Sequence, residues 1–192
     1  MKIAVDLDEI LAEFLSSVIA FHNDAYNTNL KKSDFHSYKY WEVWGGDRAE
    51  AIQKVYDFHQ TPYFQNIQPV AGAIEAIKIL KEKHELYVIT SRQDEVAAAT
   101  KKWLDQYFQD TFKEIYFTNH YSQTNANKKK SDFCDSLNID VLIEDLPEYA
   151  QECLKPNRKI ILFDYPWNIN TPLNGVSRVK NWTEALEIID ND

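Results

Sequence analysis

Two aspartates follow the first hydrophobic run of the chain, within the segment Lys2–Leu11 (KIAVDLDEIL). A short run of Ile, Ala and Val bounded by charged residues predicts a buried strand of a parallel sheet. In extended backbone, residues two apart project to the same side, so Asp6 and Asp8 can converge just beyond the strand. Open α/β sheets bind their ligands at this carboxyl edge. The plainer alternative is that Asp6 ends the strand and Asp8 caps a helix.

Polar residues also follow two later hydrophobic runs. Thr90 and Ser91 come after one of them, and Glu144 and Asp145 come after the other. Because the carboxyl ends of parallel strands lie along one edge, these residues can share a crevice with the first two aspartates. Lys130 precedes a predicted helix, from where it can reach the same edge. Carboxylates, hydroxyls and one ammonium group suit phosphoryl transfer assisted by Mg²⁺, which lets a carboxylate approach an anion.

Each of these motifs has a structural alternative when it is taken alone. Thr90 and Ser91 would simply cap a helix, and the three consecutive lysines that end at Lys130 would form a solvated loop. Lys129 is also as well placed in sequence as Lys130. Only the occurrence of all the motifs together, in this order, favours a catalytic site over coincidence.

Hydrophobic patterns after the first strand alternate between helix and strand periods, which predicts an α/β fold with a doubly wound parallel sheet. The first helix is predicted from Ile10 to Tyr26. The segment 27–68 differs, because it is crowded with aromatic residues, is broken by Gly45 and Gly46, and shows helical but no strand periodicity. We therefore predict a core domain of residues 1–26 and 69–192, with a small helical cap of residues 27–68.

Composition excludes several classes of partner. A formal net charge of −9 argues against binding a nucleic-acid polymer, because such binding depends on clustered lysines and arginines. No apolar run approaches the roughly 20 residues of a membrane span, and no signal-peptide pattern precedes the first strand. The expected location is cytoplasmic. Cys134 and Cys153 lack metal-type spacing and are expected to be reduced thiols.

Four motifs in order, VDLD, VITSR, KKKSDF and LIEDLPEYA, resemble those of the haloacid dehalogenase superfamily of phosphohydrolases. Within it, the chain most resembles the 5'(3')-deoxyribonucleotidase-like group. The resemblance spans nearly the whole chain, including the FDYPWN loop, and is specific to the superfamily more than to a substrate. It implies a Rossmann-like core with a helical cap inserted after the first strand and helix.

The resemblance also implies roles for four catalytic residues. Asp6 would be the nucleophile that forms an aspartyl-phosphate, a known use of carboxylates. Asp8 would protonate the leaving oxygen and then activate water. Thr90 would hydrogen-bond the transferred phosphoryl group, and Lys130 would neutralise the charge on nucleophile and phosphate.

A metal site and a substrate site are implied in the same way. The Mg²⁺ ligands would be Asp6, Asp8 (through its backbone carbonyl) and Asp145, with Glu144 beside them as a ligand or a neighbour of the ligands. The expected substrate-binding residues are Ser91, Arg92, Trp41 and Trp44. The two tryptophans are three apart on a probable helix and could present a flat wall to a base, although most aromatics of the cap are expected to form its core.

One residue departs from the superfamily's usual pattern. Glu9 stands where a glycine usually follows the second aspartate. The substitution adds negative charge near the metal and removes the backbone freedom of glycine. We expect the Glu9 side chain to point into solvent or toward the cap.

The sequence thus predicts a Mg²⁺-dependent phosphomonoesterase that acts on a small phosphorylated substrate, with (deoxy)nucleoside monophosphates as the leading choice. The alternatives are a phosphatase of another small metabolite such as a sugar phosphate, and a non-catalytic nucleotide-binding protein that keeps the fold. A receiver-type signalling domain would not carry the aromatic insertion. A homodimer is left open.

Overall fold

A six-stranded parallel sheet forms the centre of the protein, in a computed structural model that describes residues 1–190. Its strands are β1 (Lys2–Val5), β2 (Glu85–Thr90), β3 (Ile115–Phe117), β4 (Val141–Glu144), β5 (Lys159–Phe163) and β6 (Ser177–Val179). The strand order is β3-β2-β1-β4-β5-β6, so β1 lies in the interior and pairs with both β2 and β4. Strands β2 and β3 are added on one side of β1, and β4, β5 and β6 on the other. The strand order therefore reverses between β1 and β4, which is where such sheets open a ligand crevice.

Helices cover both faces of this sheet, as predicted. They are α1 (Phe14–Tyr26), α2 (Trp41–Trp44), α3 (Arg48–His59), α4 (Pro62–Gln65), α5 (Ala73–Lys83), α6 (Ala97–Tyr107), α7 (Lys130–Ser136), α8 (Pro147–Cys153) and α9 (Trp182–Asp190). Successive residues of β1 enter different cores: Ile3 and Val5 belong to one hydrophobic cluster and Ala4 to the other. Burial on both faces explains why this strand reads as a continuous apolar run.

The first helix begins later than predicted, at Phe14 rather than Ile10. A tight turn takes up the intervening residues, because the amides of Leu11 and Ala12 both donate to the carbonyl oxygen of Leu7, at 2.8 and 2.9 Å. Glu9 adopts a left-handed φ of 65° inside this turn. The apolar residues at the start of the predicted helix are therefore buried by the turn and not by helical periodicity.

The segment 27–68 is helical, as predicted, and has no strand. It contains α2, α3, α4 and a short 3-10 helix at Lys32–Asp34. Its packing centres on Phe58, which is fully buried and contacts the rings of Phe14 and Phe21 on α1 at centroid distances of 5.3 and 5.7 Å. Shared aromatic packing with α1 holds the segment above the carboxyl edge of the sheet.

Strand β6 and helix α9 complete the fold and were not predicted. The strand is only three residues long and has Arg178 at its centre, so it carries no hydrophobic pattern. Helix α9 has a clearer pattern, because its buried Trp182, Ala185 and Ile189 recur at helical spacing.

Two expectations from composition can be compared with the same residues. None of the helices within residues 1–190 is long and apolar enough to cross a membrane. Cys134 and Cys153 are both free and fully buried.

Candidate active site

Three buried carboxylates meet at the switch point of the sheet. Asp6 directly follows β1, Glu144 is the last residue of β4, and Asp145 follows it. One oxygen from each lies within 4.8 Å of the others, and no side chain of the three is more than slightly exposed. The pairing of β1 with β4 brings them together, because the Asp6 amide continues the ladder by donating to the Ile143 carbonyl at 2.9 Å. Three carboxylates removed from water require nearby positive charge.

Lys130 supplies one such charge. It is the first residue of α7 and is fully buried, with its Nζ 2.6 Å from Asp6 Oδ1 and 2.9 Å from Glu144 Oε1. Burial lowers the pKa of Lys130, but the facing carboxylates of Asp6 and Glu144 outweigh it and hold this pKa well above its usual value. The neighbouring Lys129 is exposed. Of the two lysines that the sequence left open, the structure therefore places Lys130 at the site.

The carboxylates still outnumber this single ammonium group. Burial and the nearby Asp6 raise the pKa of Glu144 to about 8, and burial together with Glu144 raises the pKa of Asp145 well above its usual value. Trp167 Nε1 donates to Asp145 Oδ2 at 3.0 Å, which orients that side chain. An excess of hard oxygen donors around one point fits Mg²⁺, which prefers carboxylate and water ligands.

The side chain of Asp8 lies outside this cluster and is bound to Arg92. The Arg92 Nε and Nη2 donate to Asp8 Oδ1 at 3.1 and 2.7 Å, and Nη1 donates to Thr100 Oγ1 at 3.0 Å. The guanidinium carbon lies 5.4 Å from the ring centre of Phe14 and 5.1 Å from that of Phe64. Burial raises the pKa of Asp8, while Arg92 opposes this effect. Asp8, the expected general acid, and Arg92, an expected substrate-binding residue, are thus bound to each other.

The hydroxyl residues stand at the end of the neighbouring strand β2. Thr90 is its last residue and is fully buried, with Oγ1 accepting a hydrogen bond from the Arg92 amide at 3.2 Å. Ser91 is half-buried and faces a cavity above the sheet edge. The edge therefore offers two hydroxyl groups beside the carboxylates.

That cavity, of about 240 Å³, separates the sheet edge from the segment 27–68. Trp41 lines it, together with Asp8 and Arg92, whereas Trp44 is not among the lining residues. The Trp44 ring instead stacks on His22 at a centroid distance of 4.7 Å. The two tryptophans therefore do not form one wall of the cavity, contrary to the expectation from their spacing.

Several tyrosines at the cavity were missed by sequence reasoning. The lining includes Tyr38, Tyr56, Tyr121 and Tyr149. Only Tyr149 carried a signal, because it lies in the LIEDLPEYA motif one helical turn after Asp145. Its hydroxyl forms a 2.6 Å hydrogen bond with His120 Nδ1. Tyr38 and Tyr56 lie in the aromatic-rich segment 27–68, and Tyr121 lies in the loop before α7, where no motif singled them out.

His59 makes the stability of this region depend on pH. It is 8% exposed, and burial, assisted by the charge of Arg92 and opposed by Glu95, lowers its pKa to about 3. Only the unfolded chain takes up this proton as the pH falls below about 6.5, so the free energy of unfolding falls as well. Between pH 7 and 5 this group is expected to cost about 2 kcal/mol. Urea denaturation at pH 7 and pH 5 measures this decrease in the free energy of unfolding. The decrease should be about 2 kcal/mol smaller in His59→Gln than in the natural protein. The same decrease in both proteins would contradict the assignment to His59.

The doubly wound sheet with a carboxylate–lysine cluster at its switch point matches the fold of haloacid dehalogenase-like hydrolases. A haloacid dehalogenase-like family hydrolase from Streptococcus pneumoniae superposes with a TM-score of 0.70 at 12% identity, covering 98% of this chain and 97% of that one. A similar hydrolase from Bacillus subtilis bound to magnesium superposes with a TM-score of 0.63 at 13% identity, covering 98% of each chain. These neighbours confirm the predicted fold class.

The chain belongs to the family described as 5' nucleotidase, deoxy (pyrimidine), cytosolic type C, which matches residues 1–191. A 5'(3')-deoxyribonucleotidase of Bacillus subtilis strain 168 is 30% identical over 184 residues, covering 95% of this chain and 94% of that protein. The resemblance seen in the four motifs is thereby confirmed, and the protein is a phosphoric monoester hydrolase of the nucleotidase-like type.

Proposed function

We propose that the protein is a Mg²⁺-dependent 5'-nucleotidase that hydrolyses (deoxy)nucleoside monophosphates through an aspartyl-phosphate intermediate. The observation that carries the proposal is the fully buried Lys130 Nζ, 2.6 Å from Asp6 Oδ1 and 4.5 Å from the ring centre of Tyr149, which lines an aromatic cavity. The lysine neutralises the carboxylate that must approach a phosphate, and the aromatic walls of the cavity offer apolar contacts to the rest of a nucleotide.

The first half of the reaction uses the sheet edge. A carboxylate oxygen of Asp6 attacks phosphorus, the bond from phosphorus to the ester oxygen breaks, and Asp8 gives its proton to the departing alcohol. Burial of Asp8 favours the protonated acid that this step needs. Thr90 and Ser91 hold the transferred phosphoryl group by their hydroxyls. In the second half Asp8 takes a proton from water, which attacks the phosphorus and releases phosphate and free Asp6.

Mg²⁺ would be held by the carboxylates of Asp6 and Asp145, with the backbone carbonyl of Asp8 as a further ligand and Glu144 close by. When bound, it would neutralise the phosphate oxygens and the excess negative charge of the site. The closeness of the buried oxygens of Asp6, Glu144 and Asp145 supports this assignment.

The segment 27–68 is proposed to act as a cap that recognises the nucleoside. Its Trp41 ring lines the cavity and is offered as a stacking surface for the base, while Arg92 contacts the substrate beside Asp8. Phosphate chemistry would then belong to the sheet edge and selectivity to the cap.

Trp41→Leu should raise the KM for the best nucleotide roughly 5- to 150-fold, because base stacking contributes about 1–3 kcal/mol. Turnover of p-nitrophenyl phosphate should change little, since it carries no base. Trp44→Leu is the matched control: it lies one helical turn away, outside the cavity lining, and should leave both KM values within about twofold. Steady-state kinetics on both substrates measure the effect. Equal KM changes in the two variants would refute the stacking role of Trp41.

The cytoplasm is the proposed compartment. Cys134 and Cys153 are both free and buried. Free thiols suit a reducing environment.

The deciding experiment measures phosphate release from a panel of nucleotides and sugar phosphates, with Mg²⁺ and after its removal by a chelator. Fastest release from nucleoside monophosphates, lost with the metal and restored by adding it back, is the expected result. Preference for a sugar phosphate would replace the substrate assignment. Nucleotide binding without any release would replace the proposed activity with a non-catalytic role.

A further inference from the structure

Glu9 occupies an unusual position for a charged residue. It is fully buried, directly after Asp8, and has a φ of 65°, which is uncommon for a residue with a side chain. One carboxylate oxygen, Oε1, accepts a hydrogen bond of 2.7 Å from the Leu15 amide at the start of α1. Of the two directions expected for this side chain, solvent or the segment 27–68, the structure shows the second.

The second carboxylate oxygen of Glu9 pairs with that segment. Lys32 Nζ lies 2.5 Å from Glu9 Oε2 and also 3.3 Å from the partly exposed Glu13. The same ammonium group sits 4.5 Å from the centre of the Tyr165 ring, and the Tyr165 hydroxyl donates to the Glu9 backbone oxygen at 2.6 Å. The turn that carries Asp8 is thus connected to Lys32 by an ion pair whose carboxylate is buried and whose ammonium group packs on the Tyr165 ring.

We propose that Glu9 is a positioning residue whose ion pair with Lys32 holds the segment 27–68 against the catalytic turn. Glu9 is anchored to the core through Leu15 and Tyr165, while Lys32 belongs to the segment. The contact therefore helps to set the distance between the segment 27–68, which covers the cavity, and the sheet edge. Because it touches neither Asp6 nor Lys130, losing it should loosen recognition of a bulky substrate more than the chemistry. This last point rests on the proposed function.

The test uses amide hydrogen exchange in residues 32–44 and kinetics on the same variants. Glu9→Gln keeps an acceptor for the Leu15 amide but removes the charge, and Lys32→Met keeps the length of the apolar stem. Each substitution should speed exchange in the segment about tenfold or more. The double variant should exchange no faster than the faster of the two single variants, because both substitutions remove the same contact. KM for the best nucleotide should rise about tenfold, with kcat and p-nitrophenyl phosphate turnover within about twofold.

Matched controls separate the pair from general charge effects. Glu13→Gln removes the other carboxylate near the same ammonium group, and Lys31→Met removes the exposed neighbouring lysine. Both should leave exchange and KM within about twofold. Lys32→Arg keeps the charge, so its exchange should stay within about threefold of the natural protein. If Glu9→Gln does not fold, the comparison of Lys32→Arg with Lys32→Met decides the question.

Unchanged exchange in Glu9→Gln, or effects of the two single variants that multiply in the double variant, would overturn the proposal. Effects of Glu13→Gln equal to those of Glu9→Gln would do so as well. If the natural protein releases phosphate from no ester, the proposed function fails, but the exchange measurements still decide whether Glu9 and Lys32 hold the segment.

Discussion

Asp6→Asn is expected to reduce phosphate release at least about 10³-fold while the protein stays folded. An amide has nearly the same shape as a carboxylate but is a poor nucleophile. The substitution also removes one of the three carboxylates that crowd around Lys130, so the melting temperature should stay the same or rise. Loss of activity without loss of stability would mark Asp6 as a functional residue and not a structural one.

Asp164→Asn is the matched control for this variant. Asp164 follows β5 at the same edge of the sheet and pairs with Arg178 at 2.7 Å, away from the carboxylate cluster. Its replacement should leave phosphate release within about threefold. Phosphate assays and thermal unfolding of both variants measure the two effects. Undiminished turnover by Asp6→Asn would remove the proposed mechanism altogether.

Lys130→Met is expected to lower the free energy of unfolding by about 3–5 kcal/mol in the absence of Mg²⁺. Methionine fills a similar volume, but Asp6 and Glu144 lose the cation that compensates their buried charge. Removing one partner of a buried ion pair is costly for this reason, even where replacing every partner would not be.

Lys129→Met gives the comparison, because it removes an exposed lysine one residue earlier and should change stability by no more than about 0.5 kcal/mol. Adding Glu144→Gln to Lys130→Met should recover part of the lost stability, since one uncompensated carboxylate disappears. Urea denaturation of the single and double variants gives these values. Equal stability of the Lys129 and Lys130 variants would show that the buried lysine is not the compensating charge.

The parts of the site that sequence reasoning anticipated are those that depend on strand order. Asp6, Thr90 and Asp145 each follow a hydrophobic run, and a parallel sheet brings the ends of such runs to one edge. Periodicity therefore predicted that these residues lie along one edge of the sheet. Lys130 needed the structure, because adjacent lysines differ only in which way the first turn of α7 points them.

The features that could not be predicted depend on side chains that meet across elements. Whether Trp41 or Trp44 faces the cavity depends on how α2 rotates over its neighbours, and a four-residue helix has too little pattern to show this. The pairing of Asp8 with Arg92 likewise joins side chains 84 positions apart in the sequence. No local rule specifies such contacts, because tertiary packing decides them.

The interior position of β1 has a consequence for how the chain folds during synthesis. Lys2 pairs with Glu85 and Ile3 with Val141, so β1 is made well before both of its partner strands. At about 5–20 residues per second, the roughly 80 residues before β2 take about 4–16 s, during which β1 is a hydrophobic strand with two open edges. Non-local pairing of this kind slows folding and exposes aggregation-prone surface. Asp6 therefore leaves the ribosome before Thr90, Lys130 and Asp145, and gains its surroundings only when most of the chain has followed.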